Sequence, residues 1–363
     1  MTCGASLPDA SAIQSEVRDD SVTNAKECLT RTGHEPRERE GMVGSSMNKR
    51  LIAAIIAAAV AVPGLTFNSP VAKAVVSTQY VALGRVNGSN TGCSNPGFGT
   101  DTYGSTYWAI KYALKSATDG GRVYLCPGTY DLTSGFRLGE WTQPNITIEG
   151  ASRATTILDG QGSLQVIRIT SGTVGSLTVK NLTIQNADAF EGSAICQGAD
   201  IDLTVDRVSF LNNSADAYGA AIGCTSGNSL TVLNSYFEGN DAGSHGGAID
   251  VHQDEGTVIR NSVFENNHSG NGGALGANGS DLDVQRCKFV DNVANNDGGA
   301  IWFTSSTISV FRNTFTGNSA DQGGAIALRP GLRSQVRRIE SANSFRGNVA
   351  SHVRDRNVGI TGG

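Results

Sequence analysis

The chain has 363 residues, which is long enough for one extended domain or for two ordinary ones. A formal net charge of −5 excludes the basic field with which proteins hold nucleic acid. Only 17% of the residues are charged while 46 are glycine, a composition that is typical of many turns and a stacked core and unlike that of a helical globule.

The N-terminal region is predicted to be absent from the mature protein. Residues 1–46 are polar and aperiodic, and we interpret them as a non-native or disordered extension, with translation beginning at Met47. Residues 47–74 combine a basic start, an apolar run and a small-x-small ending at Ala74, which are the three regions of a secretory signal peptide. The alternative is a membrane anchor, but the run is shorter than the ~20 apolar residues that span a bilayer. We therefore expect a secreted or cell-surface protein with no membrane span after cleavage.

Export places the remaining cysteines in an oxidising compartment. Their number after cleavage is odd, so at least one is left as a free thiol or forms an intermolecular bridge. Cys93 and Cys126 flank the first predicted helix and strand, and we predict a disulfide between them. No Cys/His spacing typical of zinc is found, and neither a metal nor another cofactor is predicted.

Residues 75–122 are predicted to form a linker and a short capping helix. The helix is predicted over about Ser105–Ser116, where apolar residues recur at helical spacing and form a stripe. The strand Val123–Cys126 follows it. Residues 349–363 are polar and are predicted to form a C-terminal cap or tail.

A repeat of 25 to 30 residues fills most of the predicted main domain, residues 123–348. Each of six copies carries Phe-x-x-Asn, and a Gly-Gly-Ala-Ile-like mark follows it in the first five. A fixed period in this range indicates a solenoid or a propeller. Short alternating runs such as Asp281–Gln285 predict strands, and three short strands per copy match one coil of a parallel β-helix. The phenylalanines are Phe210, Phe237, Phe264, Phe289, Phe315 and Phe345, and the asparagines are Asn213, Asn240, Asn267, Asn292, Asn318 and Asn348.

Stacking explains these marks. Successive coils pair about 4.8 Å apart, so the phenylalanines are predicted to form an interior stack and the asparagines a hydrogen-bonded ladder. Glycine pairs permit a tight bend into the next strand. The open ends of such a rod expose strand edges, which the predicted helix covers at one end.

The paired marks resemble the repeats of chlamydial polymorphic outer-membrane proteins over about residues 177–348. The mature chain also resembles the secreted β-helix proteins of the pectate lyase-like superfamily. These resemblances imply an all-β, right-handed parallel β-helix with a short N-terminal capping helix. No C-terminal segment long enough for an autotransporter barrel is seen, and no active-site pattern of the pectate lyases is matched, so neither outer-membrane insertion nor pectate lyase activity is implied.

Candidate functional residues are those that point outward where the repeat is irregular. In the strand opened by each glycine mark, the residues one and three places after the isoleucine point out. Asp250 and His252 occupy these places about 6.7 Å apart, with glycine above and below Asp250 leaving a shallow open floor. They are the candidate catalytic residues. The candidate ligand-binding residues are Asn278, Trp302, Thr304 and Arg329, of which Trp302 is expected to expose its indole to a sugar ring.

Two functions remain open from the sequence. The preferred one is an adhesin-like binding protein, a monomer whose partner is a polysaccharide or an extracellular matrix polymer. The alternative is a polysaccharide lyase or glycoside hydrolase. Hydrolysis generally needs two carboxyl groups, and beside Asp250 only Asp254 and Glu255 are near in sequence. A lyase would use His252 as base and a cation to stabilise the enolate, but Arg329 is about 14 Å away. His245 and His268 are expected to be exposed in turns, without a role.

Overall fold

The computed structural model describes most of the chain from Ser77 onward. The predicted extension and signal peptide lie outside the described residues, and so do Asp254 and Glu255. The described ranges are 77–86, 88–132, 134–138, 145–162, 164–169, 175–198, 201–223, 229–253, 256–329, 335–339, 342–352 and 358–360.

The described strands form a parallel β-helix, as predicted, but each regular coil has four strands and not three. Each coil passes through four sheets in turn, and each strand pairs with its counterpart in the next coil. The strand missed by the sequence analysis belongs to the third sheet. Its register shifts at several pairs, for example between Ala242 and His245, and this irregularity breaks the alternation by which a strand is recognised.

The first and second sheets contain eleven and nine of the described strands. In stacking order the first sheet consists of β2 (Phe98–Gly99), β1 (Thr78–Ala82), β3 (Arg122–Leu125), β6 (Asn145–Gly150), β9 (Gly175–Lys180), β13 (Ile201–Asp206), β17 (Ser229–Leu233), β21 (Gly256–Arg260), β25 (Asp281–Gln285), β29 (Thr307–Phe311) and β33 (Gln335–Ile339). The second consists of β4 (Gly128–Asp131), β7 (Thr156–Asp159), β10 (Thr183–Gln185), β14 (Ser209–Leu211), β18 (Tyr236–Glu238), β22 (Val263–Glu265), β26 (Lys288–Val290), β30 (Thr314–Thr316) and β34 (Ser344–Arg346).

The third and fourth sheets contain seven and nine strands of the described part. The third consists of β11 (Asp188–Glu191), β15 (Ser214–Tyr218), β19 (Asp241–His245), β23 (His268–Asn271), β27 (Val293–Asp297), β31 (Ser319–Ala320) and β35 (Val349–Ala350). The fourth consists of β5 (Phe136–Leu138), β8 (Ile167–Ile169), β12 (Ile195–Cys196), β16 (Ile222–Gly223), β20 (Ile249–His252), β24 (Leu275–Asn278), β28 (Ile301–Thr304), β32 (Ile326–Arg329) and β36 (Val358–Ile360).

The predicted phenylalanine stack is confirmed and runs from Phe210 to Phe345. Neighbouring ring centroids lie 4.6 to 4.9 Å apart, with interplanar angles of 5° to 9°. Offset stacking at this spacing stabilises aromatic pairs beyond the burial of their surface. Equal positions in successive coils therefore lie directly above one another.

The predicted asparagine ladder is also confirmed. Each side-chain amide nitrogen from Asn213 to Asn318 donates to the side-chain oxygen of the next asparagine at 2.8 to 2.9 Å. The residue before each ladder asparagine has a positive φ, which glycine, asparagine and aspartate tolerate best. These positions hold Asn212, Gly239, Asn266, Asp291, Gly317 and Gly347.

Both ends of the described rod differ from its regular coils. The predicted helix is α1 (Thr106–Ser116), whose first turn is capped by the Ser105 hydroxyl and whose buried face includes Ile110 and Leu114. The first sheet begins before this helix, because β1 and β2 pair with each other and β1 pairs with β3. At the other end β36 pairs antiparallel with β32. No helix among the described residues has the length and apolar character needed to cross a membrane.

The cysteines fall into bonded and free groups. A disulfide joins Cys93 to Cys126, the pair singled out from the sequence, and Cys196 is also disulfide-bonded. Cys287 is a free thiol that is buried in the core. The odd number of cysteines thus leaves an interior thiol.

Cys287 is expected to resist alkylation in the folded protein. Burial raises the pKa of its thiol to about 12, and the thiolate is the reactive form. Treatment with iodoacetamide in mildly alkaline native buffer should leave the Cys287 peptide unmodified by mass spectrometry, whereas the same treatment in denaturant should modify it completely. Equal modification in both conditions would contradict the burial of this thiol.

Candidate active site

The turn between the third and fourth sheets brings the candidate side chains together. Each glycine mark forms this turn, and its first glycine is left-handed, as at Gly246 with a φ of +58°. A Cβ atom at Gly246 would lie 2.1 Å from the carbonyl oxygen of Ile249, so a larger residue does not fit. The turn places His245, the last residue of β19, against Asp250 of β20.

Two columns of residues run along the fourth sheet in the register that the repeats predict. One column contains Asp250 and the other contains His252, and neighbouring members pair across successive coils. In order, the columns are Asp250, Gly276, Trp302 and Ala327, and His252, Asn278, Thr304 and Arg329.

A third column, which the sequence analysis missed, lies on the third sheet. It is formed by the residue that directly precedes each glycine mark. This residue is polar or aromatic in each copy, while the mark beside it hardly changes, and that contrast is the signal that would have found it. The column consists of Glu191, Tyr218, His245, Asn271, Asp297 and Gln322.

Asp250 and His252 form a close ion pair. Asp250 Oδ2 lies 2.6 Å from His252 Nε2, although the strand separates the two residues by about 6.7 Å. Asp250 is only 1% exposed, so the expected open floor around it is wrong. The carboxylate covers Gly276, where an added Cβ atom would lie 2.3 Å from Asp250 Oδ1. Because Gly276 has no side chain, the Asp250 carboxylate has space to lie buried over it.

His245 lies in an aromatic cluster, so the expectation of an exposed turn histidine is wrong. Its ring stacks on Tyr218 at 5.4 Å and on Trp302 at 4.5 Å, and it is 6.3 Å from the ring of His252. Burial lowers the pKa of His245, the charge of Arg329 acts in the same direction, and Asp250 opposes them. The lowered pKa favours a neutral imidazole.

Trp302 is buried, which corrects its predicted role as an exposed platform for a sugar ring. It is only 3% exposed because the imidazole of His245 covers it. Alternation along the strand correctly predicts that Trp302 points away from the core. Alternation does not reveal that His245, at the end of the third-sheet strand β19, packs over the indole.

Arg329 is held at the site by an acid that the sequence analysis did not consider. Its Nη2 lies 3.2 Å from Asp297 Oδ2, and Asp297 is 1% exposed while the arginine side chain is 57% exposed. The charge of Arg329 lowers the pKa of His245. The long arginine side chain therefore acts on residues further along the rod than the number of coils between them suggests. Asn278 and Thr304 lie between His252 and Arg329 in their column and are half-buried.

Several buried polar atoms at the site have no directed hydrogen bond within the described chain. The close approach of Asp250 to His252 has the distance of an ion pair but lacks the direction of a hydrogen bond. Buried polar groups are rarely left in this state unless a ligand, an ion or water completes them. The atoms are both carboxylate oxygens of Asp250, Nδ1 of His245, Oδ1 of Asn271, Oδ1 of Asp297 and Nε1 of Trp302.

His268 lies outside this cluster, in a strand and with two side-chain partners. It begins β23, and its ring nitrogens lie 2.7 Å from Asp241 Oδ1 and 3.2 Å from Asn295 Oδ1. Burial by itself would lower the pKa of His268, but these two hydrogen bonds outweigh it and raise the pKa. His268 is therefore the first residue of a strand and not the turn residue that was expected.

Replacing Gly276 with alanine is expected to displace the Asp250 carboxylate. The added methyl group would also lie 3.0 Å from the backbone nitrogen of Gly246, and such overpacking costs about 1–3 kcal/mol. Gly256→Ala is the matched control, because an added Cβ atom meets nothing within 4 Å there. Thermal unfolding should show a lower midpoint for Gly276→Ala alone. Equal midpoints in both variants would contradict the tight packing described above.

The sequence of the chain matches a known family model. The model of the right-handed beta helix region covers residues 166–359. The chain belongs to this family. No curated protein matches it.

Solved structures that are similar to this chain have low sequence identity to it. An alginate lyase of family PL6 is 13% identical with a TM-score of 0.31, over 63% of this chain and 40% of the lyase. A pectin methylesterase in complex with a hexasaccharide is 13% identical with a TM-score of 0.31, over 68% of this chain and 80% of the esterase. The A-module of a mannuronan C-5 epimerase from Azotobacter vinelandii is 15% identical with a TM-score of 0.25, over 71% of this chain and 100% of the module. The match to this chain spans 40% of the alginate lyase's length.

Proposed function

We propose that this β-helix cleaves an acidic polysaccharide by β-elimination at the site around Asp250 and His252. The observation that carries this proposal is the 2.6 Å pair between a buried carboxylate and a half-buried imidazole. The phenol of Tyr218 lies beside it, and the guanidinium of Arg329 belongs to the same column as His252. Such a set supplies a base, an acid and a cation. The burial of Trp302 removes the exposed indole that was expected to stack on a sugar ring.

His252 is the proposed general base. Asp250 orients its imidazole and stabilises the positive charge that the ring gains on taking a proton. A base held in this way typically accelerates a reaction by ~10²–10⁴-fold. His252 is 23% exposed at its side chain, so substrate can reach the ring while Asp250 stays shielded.

Arg329 is the proposed carboxylate-binding cation. The substrate is a uronate unit, whose carboxylate makes the neighbouring C–H bond acidic when a cation neutralises it. Nη2 of the guanidinium lies 3.2 Å from Asp297 Oδ2, and the arginine side chain is mostly exposed, so substrate can reach it. Arginine is well suited to this task because it can bind a carboxylate through two nitrogens.

Tyr218 is the proposed general acid. Its ring lies 5.2 Å from that of His252. His252 takes the proton α to the carboxylate, the C–H electrons form the new double bond, and the glycosidic C–O bond breaks. The leaving oxygen takes the phenolic proton of Tyr218. The products are a chain with an unsaturated uronate end and a chain with a new saturated end.

Hydrolysis is less well supported by the same residues. It needs one carboxyl group as acid and another as base or nucleophile. Asp250 is paired with His252, and the other buried acid of the site, Asp297, is paired with Arg329. Each carboxylate therefore has a positioning role, and elimination uses the set as it stands.

Export of the protein remains part of the proposal. The disulfide between Cys93 and Cys126 and the bonded state of Cys196 support it, because disulfides persist in oxidising compartments. A polysaccharide outside the cell is the matching substrate.

A polymer panel tests the proposal. The purified protein is incubated with polymers of mannuronate and guluronate, of galacturonate and of glucuronate, with a neutral glucan as control. We expect ultraviolet absorbance from the conjugated double bond to grow with at least one acidic polymer. Reducing ends without this absorbance would indicate a hydrolase. Retention on a polymer gel without release of either product would indicate the adhesin-like binding protein, and either result would overturn the lyase.

A further inference from the structure

We propose that His245, Asp250 and His252, here called the triad, bind one divalent transition-metal ion of the zinc class. The proposal does not depend on the elimination reaction, because it concerns binding alone. It differs from the expectation drawn from sequence, since the spacing of these residues matches no zinc motif. The fold, and not the local sequence, brings His245 to the other two.

The geometry of the triad is that of a ligand set. One ligand atom from each residue lies within 4.8 Å of the other two. Zinc binds histidine nitrogen and carboxylate oxygen at about 2.0–2.2 Å, so a small inward movement of the side chains completes a site. Among the described residues, this is the one group of three or more histidine, cysteine or acidic side chains with such spacing.

A second observation points independently to a ligand at this place. Asp250 is 1% exposed, and neither of its oxygens receives a directed hydrogen bond from the described chain. Nδ1 of His245 is buried in the same state. A carboxylate that is buried without hydrogen bonds is costly, and a cation between it and the imidazoles removes that cost.

The donor set selects the class of metal. Two imidazoles and one carboxylate suit Zn²⁺, Fe²⁺, Co²⁺ and Ni²⁺. Calcium instead requires six to eight oxygen ligands, which the triad does not offer. Three protein ligands also leave an open coordination position, which is typical of an exchangeable site and not of a closed structural one.

Surrounding groups hold the ligands in place. Tyr218 and Trp302 both stack on the ring of His245, so its plane is set before any ion arrives. Gly276 gives the Asp250 carboxylate its place. Groups around a metal site that fix the orientation of its ligands usually raise its affinity for the metal.

Metal binding and the proposed elimination exclude each other. The lone pair that takes the substrate proton is on Nδ1 of His252, because Nε2 faces Asp250. A neutral imidazole that binds an ion through Nε2 keeps its proton on Nδ1, so Nδ1 cannot take the substrate proton. We therefore expect the ion to act as a reversible inhibitor, with activity restored by a chelator.

The test uses the full chain, freed of metal with a chelator and then titrated with Zn²⁺ in a calorimeter. We expect a saturable site for one ion at the triad. Asp250→Asn and His245→Gln should each weaken binding at least ~10-fold, because each changes a ligand and even the loss of a group that only supports a ligand typically costs about 10–100-fold in affinity. His268→Gln is the control and should bind zinc as the unmodified chain does. His268 pairs with Asp241, which lies at the opposite end of β19 from His245. Substitution with Co²⁺ should give a visible absorption band that Asp250→Asn and His245→Gln lose.

The outcomes separate the two proposals. Absence of a saturable site, unchanged affinity in both triad variants, or equal competition by Ca²⁺ would each overturn the metal site. If Asp250→Asn does not fold, His245→Gln carries the test, since His245 lies at the strand end. Zinc binding at the triad in a protein that releases nothing from acidic polymers would overturn the elimination and leave the metal site intact. If saturating zinc does not slow the elimination, the statement that metal binding and elimination exclude each other is overturned.

Discussion

His252→Ala is expected to reduce the rate of elimination by about 10²–10⁴-fold while leaving the fold unchanged. The side chain is half-buried, and its ring lies on the outside of the coil, away from the phenylalanine stack. Loss of the imidazole removes the proton acceptor but removes no core surface. The measurement is the initial rate of absorbance increase on the best acidic polymer, together with the thermal unfolding midpoint.

Asp250→Asn is also expected to slow the elimination, because Asp250 orients the imidazole of His252. The amide is nearly the same size as the carboxylate, so it fits over Gly276, but it cannot stabilise a protonated His252. A rate loss of about 10²-fold is expected. His268→Gln is the control, because it removes a histidine that also pairs with an aspartate, Asp241, outside the site. Equal rates in all three variants would show that the pair has no part in the reaction.

Asn267→Ala is expected to lower the free energy of unfolding by about 3 kcal/mol. The side chain accepts the backbone N–H of Asn240 at 3.0 Å and donates to the carbonyl of Phe237 at 3.0 Å and to Asn292 Oδ1 at 2.9 Å. Alanine leaves these buried groups without a partner, and each such group costs about 1–3 kcal/mol. Chemical denaturation followed by circular dichroism measures the difference.

Asn295→Ala is the matched control for the ladder. This asparagine lies in the next coil, is exposed, and makes a 3.2 Å contact with His268. Its removal should change the unfolding free energy by less than about 0.5 kcal/mol, as is usual for surface positions. Similar losses in both variants would mean that the ladder contributes no more than an ordinary surface hydrogen bond.

The sequence predicts those parts of the fold in which identical residues contact one another. Phe237 contacts Phe264, and Asn240 bonds Asn267, so periodicity alone identifies both the stack and the ladder. The strand Asp241–His245 escapes detection because its pattern of burial does not alternate through its length. The length of this strand and its bulge depend on how neighbouring coils pair. That pairing cannot be seen in the sequence of a single repeat.

The candidate site is only partly predictable for a related reason. Asp250 and His252 are found because they interrupt a regular column. His245 is missed because its contacts cross the glycine turn, and such contacts depend on how tightly the turn closes. The same closure buries Trp302, so direction along a strand is a poor guide to exposure near a turn. A comparison of the residues that precede each glycine mark would have recovered His245 and Asp297.

The column register also limits how the rod can change its length during evolution. Whole repeats can be gained or lost before β15 or after β32, since each added coil presents the same stack and ladder to its neighbours. A repeat inserted between β20 and β32 would carry Arg329 about 4.8 Å further from Asp250 and separate the cation from the base. We therefore expect relatives that keep this site to vary in repeat number only outside that segment.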